Sequence, residues 1–165
     1  MNKTYFTQLS AYNQWANHIV CEWLKSLSDE SWKQTIVSSF NSIEQTTVHI
    51  IGAEQIWLQR LQQDPEPVWY PLHFKGSREE AVSDWHSASV KLHHFVEALN
   101  ESDLVTPLSY KRINGEEYTM EIYKILAHIF NHSTYHRGQL ITQLRQAGFE
   151  EVTTTDLLAY YNMHF

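Results

Sequence analysis

Two histidines four residues apart, His132 and His136 in the run NHSTYHRGQL, have the types and spacing best suited to chemistry in this chain. On a helix that step is a little over one turn, so both imidazoles leave one face close enough to share a metal ion. At about 100 degrees per residue they fall within the apolar stripe of Ile125, Ile129, Leu140 and Leu144. An imidazole at a core position must satisfy both ring nitrogens, because a buried polar group left unpaired costs about 1 to 3 kcal/mol. A divalent ion accepts one nitrogen from each ring and leaves the other to a hydrogen-bond acceptor. His128 extends the series by a turn, but it sits at the edge of the stripe. It is also about 12 Å from His136 along the axis, too far for one ion.

The best third ligand is His49, in SIEQTTVHIIGAEQIWLQRL, on a second helix where it shares a side with Ala53 and Ile56. Glu54 is its rival, but it projects about 140 degrees away on an ideal helix and reads as a carboxylate at the helix surface or at an interface. Three histidines without a fourth protein ligand leave positions open for water, as in catalytic sites. Zinc is the first expectation and nickel the second, since imidazole suits several first-row ions. His18, His86, His93, His94 and His164 read as solvated or locally satisfied, and His73 matters only if its loop closes over the site. Ser133 and Thr134 lack a nucleophile motif such as GxSxG, which argues against covalent serine catalysis.

The elements that must position these residues are helices. Apolar residues recur at steps of three and four over residues 4–27, 42–62, 77–99 and 119–147. In the first segment the stripe is Tyr5, Leu9, Tyr12, Ala16, Ile19, Trp23 and Leu27. Ser42 with Gln45 and Ser77 with Glu80 have the spacing of capping boxes, and Gly148 ends the last segment. A short helix follows from Thr155 or Asp156 to Tyr161. Between segments two and three, QQDPEPVWYPLHFKG carries three prolines and Trp69, Tyr70 and Phe74, a packed loop of the kind that often serves function. Between segments three and four, Asn114-Gly115 predicts a β-hairpin. The fold class is all-α, a four-helix bundle with a small β-hairpin between helices three and four and a short C-terminal helix.

The 165 residues suit one domain over 1–165. A formal net charge of −7 with no cluster of Lys or Arg predicts no nucleic-acid partner. No stretch is long and apolar enough for a membrane span, and the start lacks a signal-peptide core, so a cytoplasmic protein is expected. The lone Cys21 forms no intrachain disulfide and reads as a buried small side chain. Ile51 and Leu58 lie on a side of their helix away from His49, which predicts a second packing partner and a homodimer.

The run LAHIFNHSTYHRGQLITQLRQAGFEEVTTTDLLAYY, with VHIIGAEQIWL around His49 and YNQWAN near the start, resembles the DinB-like proteins, also called DinB/YfiT-like metalloenzymes. The resemblance implies an up-down-down-up four-helix bundle, a divalent ion on His49, His132 and His136, and frequent homodimers. It also marks Arg137, Gly138 and Gln139 as hallmarks. Physically, Gly138 reads as permitting close helix packing and Gln139 as holding a metal-bound water. The family includes enzymes that use low-molecular-weight thiols. The function expected is therefore a metal-dependent enzyme acting on a small molecule, such as a thiol S-transferase that takes small electrophiles. A metal-dependent hydrolase and a non-catalytic, stress-related metal-binding protein are the alternatives.

Overall fold

In this computed structural model, which describes residues 2–112 and 114–164, helices form where an apolar stripe meets a cap. Helix α1 (Lys3–Lys25) starts at Asn2, whose side chain accepts from the Thr4 N–H. Short α2 (Asp29–Lys33) tucks Trp32 into the core. Helix α3 (Ile43–Leu61) is capped by Ser42, which accepts from Gln45 N, while the Gln45 side chain accepts from Asn41 N. After α4 (Tyr70–His73), α5 (Arg78–Ala98) opens with the full Ser77–Glu80 capping box. A turn of helix, α6 (Glu101–Leu104), leads into β1 (Pro107–Lys111) and β2 (Glu117–Glu121), then α7 (Ile122–Gln146) and α8 (Leu157–His164).

Contacts between the long helices fix their directions. Along α1, Lys3, Ser10, Asn17 and Cys21 bond in turn to Glu97, His93, Ser89 and Val82 of α5, so the two are antiparallel. Thr46 with Gln143 and Glu54 with Ser133 make α3 and α7 antiparallel as well. One apolar cluster joins Val20 and Leu24 of α1 with Leu140 and Leu144 of α7, and another joins Phe6 with Ile125 and Phe130, so these helices run parallel. The bundle is therefore up-down-down-up. Its middle pair, α3 and α5, is parallel, and residues 62–77 must run back along the bundle to connect them. That requirement accounts for the long proline-rich segment.

The hairpin pairs Leu108 with Met120 and Ser109 with Thr119, and Gly115 takes φ +85° in its turn. Residues 119–121, expected as the first turn of the last long helix, belong to β2 instead. Cross-strand pairing holds them, including a 2.9 Å bond between the Ser109 and Thr119 hydroxyls. The C-terminal helix runs past Tyr161 to His164 and packs Tyr160 between Tyr12 and Trp15.

Helix α1 buries Tyr12, Ala16 and Trp23 of the stripe expected for it, but its inward face is wider than that stripe. Tyr5 is 53% exposed, whereas Phe6, Ser10, Asn13 and Asn17 face inward. The added inward residues are polar because they lie at the height where the two apolar clusters part. At that level every long helix contributes a polar side chain: Asn13 and Asn17, Glu54, Ser89, and Ser133 with Arg137. Ile51 and Leu58 are buried inside the chain, against α5 and its neighbours, which removes the reason they offered for a second copy. No helix among the described residues is long and apolar enough to cross a membrane.

Candidate metal centre

His49 on α3 and His132 and His136 on α7 meet because the two helices are antiparallel neighbours. One nitrogen from each ring lies within 4.8 Å of the other two, and no fourth His, Cys, Asp or Glu among the described residues joins them. His49 Nε2 and His132 Nε2 are 3.2 Å apart, within hydrogen-bonding distance when one of the two carries the proton. Ring centroids of His136 lie 4.3 Å from His132 and 4.6 Å from His49.

Burial in this cluster favours neutral imidazole. Loss of hydration, and then the neighbouring ring of His136, hold His49 at about 4, down from 6.5. The same causes, with His49 and His128 added, hold His132 at about 3. His136 is also lowered by burial. Neutral rings are the form that offers a lone pair to a metal. Three such rings converging on one point are placed to hold a metal ion.

Gln139 sets the tautomer of His136. Its Oε1 lies 2.8 Å from His136 Nδ1, and its Nε2 donates to Ser39 Oγ at 3.2 Å, which fixes the orientation of the amide. An amide oxygen only accepts, so Nδ1 carries the hydrogen and Nε2 is left free to bind. The amide of Gln139, the residue expected to hold a metal-bound water, bonds to His136 and Ser39.

Aromatic rings wall the cluster. Phe40, just before α3, sits 4.4 Å from His49 and 5.6 Å from His136 between centroids. Trp69, just before α4, meets His49 edge-on at 5.8 Å. The loop thus reaches the site through Trp69, while exposed His73 stays outside the cluster. His128 lies against Trp57 and is likewise outside it. His93 is satisfied by Ser10, and His18 rests against His86. Cys21 is buried, and burial pushes its thiol up to about 12, so it is no nucleophile.

Two expectations are corrected. Glu54 is neither at the surface nor at an interface: it is 1% exposed, its Oε1 accepting from Asn13, Asn17 and Ser133 and its Oε2 from Ser89. The same two asparagines use their oxygens to accept from Arg137 Nη1, at 2.6 and 2.9 Å. An amide carries a donor and an acceptor together, so each asparagine bridges the buried carboxylate and the buried guanidinium. Gly138 is not a close-packing position either, since a Cβ there would meet nothing within 4 Å. The tight glycine is Gly52, whose Cβ would lie 2.5 Å from Pro71 Cδ and 3.4 Å from Trp69.

Sequence reasoning missed Phe40 and the bridging pair of asparagines. Asn13 and Asn17 did carry a signal, because they share a helical face that the apolar stripe should have owned.

Known proteins place this arrangement. The chain is 27% identical over 153 residues to Protein DinB of Bacillus subtilis (strain 168), covering 89% of this chain and 88% of that one. Its fold is similar to the crystal structure of a DinB-like protein from Bacillus cereus ATCC 10987, with a TM-score of 0.71, 21% identity, and coverage of 90% and 95% of the two chains. A DinB-like protein from Bacillus subtilis gives a TM-score of 0.67 at 15% identity, covering 90% and 97%. The DinB family model matches residues 1–163, and with the bundle and its three converging histidines this shows that the chain belongs to the DinB family.

Proposed function

We propose that this protein is a metal-dependent enzyme that joins small electrophiles to the sulfur of a low-molecular-weight thiol, its ion held by His49, His132 and His136. The observation that carries the reading is the convergence of three neutral imidazole nitrogens within 4.8 Å. Three ligands leave positions free for a reactant, whereas a structural staple would be closed by a fourth. A bound divalent ion, zinc or nickel, supplies Lewis acidity that lowers the pKa of a thiol or water brought beside it.

The chain's own residues supply the setting. Gln139 holds His136 in the binding tautomer, and Phe40 and Trp69 cover the imidazoles with aromatic surface that excludes water. Hydrolysis, the second reading, calls for a general acid near the reacting bond. The hollow that runs from His49 and His132 is lined by Ala53, Ile56, Trp57, Trp69, Asn114 and two arginines, with no carboxylate among them. A second hollow that shares His49 and Trp69 does include a carboxylate, Glu44, so the first reading rests on the open histidine site and not on the lining.

Metal analysis and thiol-conjugation assays with chlorodinitrobenzene on the native protein and on His132→Ala test the proposal together. The expected result is one divalent ion per native chain, with metal and conjugation both lost in the variant. Loss of the metal with conjugation unchanged overturns the mechanism.

A further inference from the structure

The hollow beside the histidines has a volume of about 360 Å³, and its wall includes Arg60 and Arg112. Arg60, in the last turn of α3, is only 9% exposed, and its buried Nε finds no hydrogen-bond partner among the described residues. Among the described residues no carboxylate forms an ion pair with Arg60, although Arg112 has one nearby. Glu117 pairs with Lys111 at 3.1 Å, Glu116 lies 3.8 Å from Arg112, and Asp64 accepts from the Glu66 N–H. Arg60 is held by aromatic rings instead, its guanidinium 4.8 Å from Trp57 and 5.4 Å from Tyr110.

A buried cation without a counterion is costly, and stacking on ring faces offsets only part of that cost. The stacking fixes the plane of the guanidinium; its Nε is closed off, and the terminal nitrogens are the donors left for a ligand. Such a pair of donors matches the two oxygens of a carboxylate. His49 and His132 line the same hollow, His49 about three helical turns from Arg60 along α3. A ligand seated on Arg60 extends along the hollow toward the imidazoles, and the volume suits a small organic molecule.

We propose that Arg60, assisted by Arg112, is the carboxylate-binding end of the substrate site, and that the ligand is a small organic acid whose reacting end faces His49 and His132. The direction of the reacting end rests on the metal-enzyme reading, whereas the anion site stands on Arg60 itself.

Succinate is the probe, with succinamide as its uncharged match and inorganic phosphate as the competing oxyanion. In the nitrogen-15-labelled protein, with and without zinc, succinate should shift the Arg60 Nε–H resonance saturably and succinamide should not. By calorimetry, Arg60→Gln should weaken succinate binding by about ten-fold or more, the scale of one lost charge-assisted pair. Arg112→Gln, on the exposed hairpin and remote from the core, should weaken it less and guards against a folding artefact at position 60. An unmoved Arg60 resonance, or equal succinate affinity in Arg60→Gln, overturns the site. Phosphate binding without succinate binding overturns its assignment to a carboxylate. Succinate binding that depends on Arg60 while the native chain takes up no metal keeps the anion site and removes the metal-enzyme reading. Intact metal uptake and conjugation with succinate indifferent to Arg60 does the reverse.

Discussion

A histidine kept neutral by burial makes protons competitors of both the fold and the metal. The unfolded chain takes up a proton at the ordinary 6.5, whereas folded His49 resists until about 4 and His132 until about 3. Where the unfolded state binds more protons, stability rises with pH. The contribution of these rings is therefore full above 6.5 and is lost as pH falls from 6.5 through about 4 and then about 3. Chemical denaturation of the metal-free protein should show a midpoint that drops across this window, with a shallower drop in His132→Gln. Equal slopes in the two proteins would refute this origin of the pH dependence. The histidines themselves were legible in sequence because a four-residue step on one helix is visible in one dimension. Phe40 was not, since its approach to His49 depends on how the segment before α3 folds back. Nor did the acceptor on His136 announce itself, although Gln139 lies one turn away, because sequence does not say which way an amide turns.

At the level of elements, Gly52 ties α3 to the connection that carries Trp69. Glycine inside a helix costs about 1 kcal/mol relative to alanine, and here it makes room for Pro71, whose ring is bound to its own backbone and has little freedom to move aside. Gly52→Ala should lower stability by about 1 to 3 kcal/mol, as overpacking does, and displace Trp69 from His49. Thermal unfolding and tryptophan fluorescence check both parts. Gly138→Ala is the matched control, since the open space at that position leaves only the helical gain. A Gly52→Ala protein as stable as the control, with unchanged fluorescence, would show the contact to be unimportant. The elements were readable to the extent that each buries an apolar face: α5, with Val82, Trp85, Leu92 and Val96 inward, matches its stripe. In α1 the stripe residues Tyr12, Ala16 and Trp23 are buried as expected, but the inward face also carries Ser10, Asn13 and Asn17, which hydropathy does not select. The start of α7 was misplaced because residues 119–121 take their structure from β1, a partner that helical periodicity does not register.

Across the whole molecule, a polar layer divides the two apolar clusters, and its charges are Glu54 and Arg137. Removing one charge leaves the other buried and uncompensated, at a cost of about 3 to 5 kcal/mol. Glu54→Gln and Arg137→Met should each destabilise on that scale, and the double variant should lose less than the sum of the two. Denaturation of the four proteins in a double-mutant cycle measures the coupling, and strict additivity would show that the asparagine bridges transmit none. The layer also bears on how the chain folds as it is made. Asn13 and Asn17 emerge early, yet the guanidinium that completes their bonding lies 124 and 120 residues later. The next long helix, α3, supplies only the carboxylate, and Ser89 of α5 supplies one hydroxyl. Closing such distant contacts carries a large loop entropy and slows folding. The buried bonding of α1 is therefore complete only once the last long helix, which brings two of the three histidines, has docked.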